Sequence, residues 1–304
     1  MCICSERIEC MIDFYQYINE NLLHKITIGK SGARVYELKD SRIVKHILRS
    51  ELETDSLWNS YKSESLFYTQ FSESAHDFLP EIYHCYHSDD EIQIIMRQYK
   101  TLNRDSLDDV LLEKVFAVLA QIHSLPVPQF IPSEDTKPLV LNKEDISQYL
   151  LGWEEVLEEH GQEFSKSDLE RIAQNINDIN KKMHSTKRAL CHGDFHFENL
   201  LEDDNRNIIV CDWQCIGLGH VSGDISFLLS RLAADGFEVN KEKAIQMYCQ
   251  YSKSDITQDE IAMQMSLANL NTSFMFWHNY LHGSSVDTVR DIFGKMVEDM
   301  NNLM

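Results

Sequence analysis

The chain has 304 residues, of which 43% are apolar and 25% are charged. These proportions are ordinary for a soluble globular protein that can bury a sizeable core without disulfides or metal ions. The formal net charge of −21 argues against nucleic acids and anionic membrane surfaces as partners, because their phosphates would be repelled. The charge favours a cationic or neutral partner, although acidity that only keeps the protein in solution explains it equally well.

The cysteine pattern and the N-terminus indicate the cellular environment. Cysteines occur at positions 2, 4, 10, 85, 191, 211, 215 and 249. Since none forms a Cys-x-x-Cys pair, a zinc ribbon is not indicated, and free thiols in a reducing compartment are the simplest account. The first ten residues lack the apolar segment of a signal peptide, and no apolar run is long enough to span a bilayer. We therefore expect a cytoplasmic protein, and no obligate protein partner is evident.

The first third of the chain reads as a small β-rich unit. The residue pattern predicts a helix over 12–24, two strands joined by a glycine turn over 26–38, a strand over 41–47, a helix over 50–71, and strands over 82–87 and 92–96. Residues 100–105 are polar and break the strand pattern. We therefore divide the chain into an N-terminal lobe, 1–99, and a second lobe, 100–304.

The second lobe reads as mostly helical. Helices are predicted over 107–125, 143–160 and 166–184, and again from residue 224 to the C-terminus. A strand-rich insert covers 188–201 and 208–213. No internal repeat is present. The expected fold class is α+β, with a small antiparallel lobe containing one key helix and a larger helical lobe.

One segment carries the strongest chemical signal. It reads Cys191-His-Gly-Asp-Phe-His-Phe-Glu-Asn-Leu200 and is followed by Ile208-Ile-Val-Cys-Asp-Trp213. Phosphoryl transfer needs a carboxylate that orients the accepting hydroxyl and oxygen ligands for Mg²⁺. Asp194 suits the first role. Asn199 and Asp212, the latter at the end of an apolar strand, suit the second.

This two-part motif resembles that of the aminoglycoside phosphotransferase and choline kinase superfamily. The resemblance extends over nearly the whole chain. It implies a two-lobed fold like that of protein kinases, Mg²⁺ as cofactor, ATP or GTP as co-substrate, and a small-molecule hydroxyl as acceptor. It also implies that His192 braces the catalytic loop and that Asp224 caps the following helix and steadies this loop.

The resemblance also assigns residues that bind the nucleotide. Gly29, Ser31 and Gly32 occupy the place of the turn that covers the phosphates, although an ordinary hairpin would look the same. Lys45 corresponds to the phosphate-binding lysine, and Glu64 to the glutamate that pairs with it. By analogy, the Arg97 carbonyl and the Tyr99 amide bond the base, with Met96 lining its pocket. His123 is expected to be structural.

Two regions are candidates for the acceptor site. The run Trp153-Glu-Glu-Val-Leu-Glu-Glu159 contains Glu154, Glu155 and Glu158, which could gather a polycationic sugar or simply face solvent. Four aromatic residues follow further on: Phe274, Phe276, Trp277 and Tyr280. Their spacing favours core packing, with an aromatic cage around an ammonium group, centred on Trp277 and Tyr280, as the alternative.

The acceptor itself stays open. Choline kinases typically have Asn where this chain has Gly193, and aminoglycoside 3′-phosphotransferases have Asp-x-Gly where it has Asp212-Trp-Gln214. The leading hypothesis is a kinase for an aminoglycoside-type antibiotic, hence a resistance enzyme. The alternatives are a metabolic kinase for choline, an amino alcohol or a sugar, and a silent nucleotide-binding pseudokinase. A metallohydrolase using His192, Asp194 and His196, and a protein kinase, are less favoured.

Overall fold

The computed structural model describes residues 14–26, 32–71, 76–104, 107–132, 138–160 and 164–304. Its N-terminal part is an antiparallel sheet with the spatial order β1-β2-β3-β5-β4. The strands are β1 (Leu22–Ile26), β2 (Arg34–Leu38), β3 (Arg42–Leu48), β4 (Ile82–His87) and β5 (Glu91–Arg97). Helix α1 (Phe14–Asn21) covers one face of this sheet, and α2 (Asp55–Phe71) packs on the other.

The alternation of side chains along β3 decides which face Lys45 occupies. Val44 is fully buried and packs with Ile18 of α1. Since neighbouring residues of a strand point to opposite faces, Lys45 lies on the same face as Ile47, which packs in the core shared with α2. The sequence of β3 therefore directs the lysine toward α2.

The rest of the described chain is mainly helical. The helices are α3 (Asp109–His123), α4 (Lys143–Glu159), α5 (Lys166–His184), α6 (Val221–Ala234), α7 (Lys241–Tyr251), α8 (Gln258–Phe276) and α9 (Val286–Leu303). The short strands are β6 (Lys100–Thr101), β7 (Ala189–Cys191), β8 (Leu200–Glu202), β9 (Ile208–Val210) and β10 (Gly217–Gly219). Strands β6, β8 and β9 form one small sheet, and β7 pairs with β10.

Two large apolar cores hold these elements together. The first is continuous from the inner face of the sheet through α2 and α3 to α7, and includes Phe67, Phe116 and Trp213. The second lies among α4, α5, α8 and α9, around Trp153 and Phe274. The first core includes residues of both lobes and therefore joins them.

The predicted elements are largely confirmed, with four corrections. The helix predicted over 12–24 ends at Asn21, because Leu22–Ile26 pairs with β2 instead. Helix α2 begins at Asp55 rather than at residue 50, after a 3₁₀ turn at Arg49–Glu51. Lys100–Thr101, predicted to break the strand pattern, forms β6. Strand β10 was missed, because a three-residue strand gives no periodicity.

None of the described helices is both long and apolar enough to cross a membrane.

Candidate active site

Lys45 is the centre of a buried ionic trio that joins the two lobes. Its ammonium nitrogen lies 2.7 Å from Glu64 Oε2 and 2.7 Å from Asp212 Oδ1. The Glu64 side chain, on α2, is 1% exposed, whereas that of Asp212 is 32% exposed. The pairing expected between Lys45 and Glu64 is therefore present, and Asp212 closes the trio from the other lobe.

The protonation of this trio follows from its burial and charges. Burial by itself would lower the pKa of Lys45, but the carboxylates of Glu64 and Asp212 outweigh it and raise this pKa above its ordinary value. Burial raises the pKa of Glu64, although Lys45 opposes the shift. Lys45 thus stays a cation throughout the physiological range.

Trp213 fixes the position of Asp212. Asp212 adopts the left-handed conformation, with φ 62° and ψ 59°, so the chain turns sharply after β9. The Trp213 ring is fully buried and stacks on Phe67 of α2, with ring centroids 4.1 Å apart. Its indole N–H donates to the Val210 carbonyl at 2.9 Å, and its ring meets that of His192 at 4.7 Å. One side chain therefore packs against both α2 and the loop that begins at His192.

Asp194 and Asn199 face each other within the loop after β7. The Asn199 amide nitrogen lies 3.1 Å from Asp194 Oδ2 and 2.9 Å from the Asp194 carbonyl oxygen. His196 Nε2 lies 3.5 Å from Asp194 Oδ1. Hydrogen bonding by His196 lowers the pKa of Asp194 in spite of its partial burial. The Asp194 carboxylate is therefore both ionised and held in orientation.

Asp224 is a buried acid that holds the backbone of the loop containing Asp194. Asp224 accepts hydrogen bonds from the backbone N–H groups of His192 and Gly193, each at 2.8 Å, and its Oδ2 lies 3.1 Å from His123 Nε2. Burial would raise the pKa of Asp224, but the bond from His123 and the other contacts lower it. The loop is steadied as expected. The predicted helix cap is wrong, because His220 occupies the N-cap position and Asp224 lies within the first turn.

Both ring nitrogens of His192 form hydrogen bonds with backbone groups. Its Nδ1 accepts from the Asp194 N–H at 3.2 Å, and its Nε2 lies 3.0 Å from the Cys211 carbonyl oxygen, to which it donates. Burial lowers the pKa of His192, so the neutral ring fits both bonds. Because neither nitrogen is left for a metal ion, the metallohydrolase alternative loses one of its three ligands.

Gly193 is required by the packing of this loop. Its φ is +81°, a conformation that L side chains rarely adopt. A Cβ atom added here would lie 3.0 Å from the carbonyl carbon of Cys215, and it would overlap the carbonyl oxygen of the same residue. Glycine at this position is therefore explained by local sterics, whatever the acceptor is.

Sequence reasoning missed a charged network behind His196. Glu198 Oε2 lies 3.0 Å from His196 Nδ1 and accepts from Arg231 at 3.0 Å, while Arg104 approaches its other oxygen at 3.4 Å. The position of Glu198 inside the motif could have indicated that it belongs to this network. The two arginines gave none, because they are remote from it in sequence and from each other.

The predicted nucleotide residues lie along the lobe boundary. Met96 is buried at the end of β5. The Arg97 N–H donates to the Glu81 carbonyl at 2.9 Å, and the Tyr99 hydroxyl accepts from the Glu81 N–H at 2.8 Å, so this connection is anchored. Gly32 has φ +81°, and a Cβ there would lie 2.9 Å from Leu52 Cδ2. The predictions for Gly29 and Ser31 lie outside the described residues.

The candidate acceptor residues are only partly brought together. Core packing is correct for Phe274, which is fully buried, but wrong for Phe276, Trp277 and Tyr280, which are 53%, 39% and 75% exposed. Helix α8 ends at Phe276, so the buried helical face that includes Phe274 does not continue to the later aromatic residues.

The rings of Trp277 and Tyr280 meet edge to face at 6.4 Å. Burial lowers the pKa of His278 in the same turn. Helix α4, which carries Glu155, packs against this turn. In contrast, Glu158 pairs with Lys166 at 3.5 Å. Glu154 is half-buried on α4.

The fold and this site define a phosphotransferase of the protein-kinase-like class. The family model described as the phosphotransferase enzyme family matches residues 85–258. Because the match covers more than half of the chain, the protein belongs to that family. It is thus an enzyme that transfers phosphate to a hydroxyl group of a small molecule.

Solved structures share the fold at low sequence identity. ADP-bound aminoglycoside phosphotransferase APH(2'')-Ib is 17% identical, with a TM-score of 0.55 over 95% of this chain and 98% of that chain. Choline kinase LicA from Streptococcus pneumoniae is 15% identical, with a TM-score of 0.55 over 95% and 96%. A Plasmodium vivax ethanolamine kinase is 13% identical, with a TM-score of 0.52 over 95% and 84%. No curated protein sequence matched the chain.

Proposed function

We propose that this enzyme transfers the γ-phosphate of ATP or GTP to a hydroxyl group of a small cationic molecule, most simply an aminoglycoside-type antibiotic. The observation that carries the proposal is that Lys45 contacts Asp212, while the N–H of the adjacent Cys211 donates to the Asn199 carbonyl at 3.0 Å. The ionic trio and the loop of Asp194 and Asn199 therefore meet at one lobe boundary. The ADP bound to one structural neighbour supports a nucleotide co-substrate.

Asp194 is the proposed general base. Its ionised carboxylate takes the proton of the acceptor hydroxyl as that oxygen forms its bond to the γ-phosphorus. The bond from this phosphorus to the nucleoside diphosphate breaks, and the diphosphate leaves with the electron pair. Asn199 and His196 keep the carboxylate in place. Lys45, held by Glu64, stabilises the negative charge of the phosphates, so most of the rate arises from positioning and electrostatics.

The residues also fit a magnesium ion. Asp212 supplies a partly exposed carboxylate, and Asn199 supplies an amide oxygen, because its nitrogen is the atom that contacts Asp194. Carboxylate and amide oxygens are the hard ligands that Mg²⁺ prefers. When bound, the ion neutralises charge on the transferred phosphate.

The acceptor side favours an amine. Trp277 and Tyr280 expose two aromatic rings on one turn, and the exposed Glu155 lies on α4, which packs against this turn. Ring faces and carboxylates both attract ammonium groups. The overall charge of −21 acts in the same direction. The exposed ring pair also supports the second candidate, a kinase for choline or another amino alcohol.

The test is nucleoside diphosphate release with Mg²⁺ and ATP or GTP, against aminoglycosides, choline, ethanolamine and simple sugar alcohols. One class should stimulate release in the native protein and in the control Asp291→Ala, an exposed carboxylate on α9. Asp194→Ala should lose this stimulation by about 10²-fold or more while keeping nucleotide affinity. Turnover that survives in Asp194→Ala contradicts the assignment of the base. Nucleotide binding without transfer to any acceptor favours the pseudokinase.

A further inference from the structure

Tyr61 offers the ammonium group of Lys45 an uncharged partner, in addition to the two carboxylates of the ionic trio. The Lys45 nitrogen lies over the Tyr61 ring, 4.9 Å from its centroid. This is within the distance of about 6 Å at which a ring face attracts a cation. Tyr61 is fully buried, and the Lys45 side chain is only 12% exposed. The contact is therefore shielded from water, which strengthens it.

Helix α2 presents this ring and one of the carboxylates side by side. Tyr61 and Glu64 are three residues apart, so their side chains are neighbours on the helix surface. Lys45 reaches them from β3, and its nitrogen lies 2.7 Å from Glu64 Oε2. Asp212 contacts the same nitrogen from the other lobe at 2.7 Å. The position of the ammonium group therefore depends on α2 through two side chains of different chemistry.

The ring and the carboxylates would act differently on a bound phosphate. With Glu64 and Asp212 ionised, negative charge in the trio outweighs the single positive charge of Lys45, and a further carboxylate would repel a phosphate more strongly. An ammonium group has three N–H donors, and two of them serve the carboxylates. When a phosphate binds, the ammonium has to direct a donor toward it. A ring face permits this reorientation, because it attracts the charge as a whole rather than one N–H.

We propose that Tyr61 is a positioning residue for the nucleotide, because its ring holds the Lys45 ammonium in place without adding negative charge. The inference rests on the proposed contact of Lys45 with the phosphates. It gives Tyr61 a role that burial alone does not require, since aliphatic side chains also fill protein cores. Removal of the ring should weaken nucleotide binding and leave acceptor binding unchanged.

Two substitutions at position 61 separate the ring from the hydroxyl group. Tyr61→Phe keeps the ring face and Tyr61→Leu removes it, while both lack the hydroxyl. Calorimetric titration of the full-length protein with ADP and GDP should give a dissociation constant about tenfold or more higher for Tyr61→Leu than for Tyr61→Phe, because a shielded contact between ring and cation is lost. The acceptor KM, measured by diphosphate release, should agree in the two variants within about twofold.

The contact also has a spectroscopic signature that needs no nucleotide. Protons above a ring face resonate at unusually low chemical shift, and the Lys45 ammonium lies over the Tyr61 ring. The ε-methylene signal of Lys45, assigned by its absence from Lys45→Arg, should therefore be shifted in the native protein. The shift should persist in Tyr61→Phe and be lost in Tyr61→Leu.

Phe71→Leu is the matched control for the loss of a buried ring from α2. Phe71 is buried on the same helix, about 10 Å along the axis from Glu64, and its ring centroid lies 4.8 Å from that of Phe67. Its nucleotide affinity should stay within about twofold of the native value. Melting temperatures show whether each variant is folded, and Tyr61→Met is the ring-free variant to use if Tyr61→Leu does not fold.

The possible outcomes are distinct. A loss of nucleotide affinity in Tyr61→Leu that is absent from Tyr61→Phe and Phe71→Leu supports the proposal. Equal affinity in the two variants at position 61, or an equal loss in Tyr61→Leu and Phe71→Leu, overturns it while leaving the phosphotransferase activity in place. A native protein that binds neither ADP nor GDP contradicts the proposed function, and the role of Tyr61 with it.

Discussion

Replacement of Gly193 by alanine tests whether the catalytic loop is held by its contact with the Cys215 carbonyl. The structure offers a matched control in Gly236, which follows α6. Both glycines have positive φ, +81° and +88°, but an added Cβ meets nothing within 4 Å at Gly236. Any difference between Gly193→Ala and Gly236→Ala therefore measures the collision and not the backbone conformation.

The two variants should differ clearly in how much melting temperature and turnover they lose. The left-handed conformation costs a non-glycine residue about 1–2 kcal/mol. For a chain of 304 residues both variants should therefore lose roughly 1.5–3 °C in melting temperature. At Gly193 the added atom would also lie 3.0 Å from the carbonyl carbon of Cys215, which forces the loop or the turn to move. Since Asp194 is the next residue and a displacement of about 1 Å can cost 10²-fold in rate, turnover should fall by about that factor.

Calorimetry and the diphosphate-release assay measure the two effects. Gly236→Ala should melt earlier while keeping turnover within about twofold. Gly193→Ala should melt earlier still and lose turnover. Equal melting temperatures and equal turnover in the two variants would refute the idea that the Cys215 carbonyl limits residue 193.

Three further predictions follow, two for residues that contact the loop of Asp194 and one for the turn of Trp277. Because the hydrogen bond from His196 lowers the pKa of Asp194, His196→Gln should move the acidic limb of the kcat/KM profile to higher pH. Asp224→Asn should destabilise the protein by about 3 kcal/mol at pH 7, measured by urea unfolding. The lowered pKa of Asp224 means that its contribution is complete above the unfolded value and is lost as the pH falls through the folded one, so the difference should shrink in acid. Gly152→Ala, whose Cβ would lie 2.9 Å from His278 Cε1, should raise KM for the acceptor several-fold and leave nucleotide KM unchanged, because the turn of Trp277 is displaced.

Each of these predictions has a result that contradicts it. An acidic limb that stays in place in His196→Gln means that this histidine does not set the ionisation of Asp194. A stability difference for Asp224→Asn that is constant from neutral to acidic pH excludes a role for its charge. A parallel rise of both KM values in Gly152→Ala would indicate general damage rather than a displaced acceptor surface.

The positions of Lys45 and Asp212 in the fold were predictable because both residues follow local rules. The alternation along β3 orients Lys45, and the apolar strand before Asp212 places that carboxylate at a lobe boundary. The helix boundaries were less predictable. Leu22 and Leu23 fit a helical face, yet they lie in β1, because pairing with β2 satisfies the backbone of this segment.

The acceptor side could not be predicted in the same way. The spacing of Phe274, Phe276 and Trp277 suggests one buried stripe, but exposure depends on where α8 ends and what packs beside it. Similarly, Glu198, Arg104 and Arg231 meet only through the tertiary fold. Charged groups that gather from distant positions leave no pattern in a single sequence.

The close approach of Gly193 to the Cys215 carbonyl also has an evolutionary consequence. Two segments that are separate in sequence cannot vary independently, since a side chain at 193 becomes acceptable only after the turn around 215 has moved. A substitution that moves the turn around residue 215 must therefore come before a substitution of Gly193, and the reverse order is not tolerated. This ordering restricts the single-step routes by which a residue other than glycine can appear at position 193.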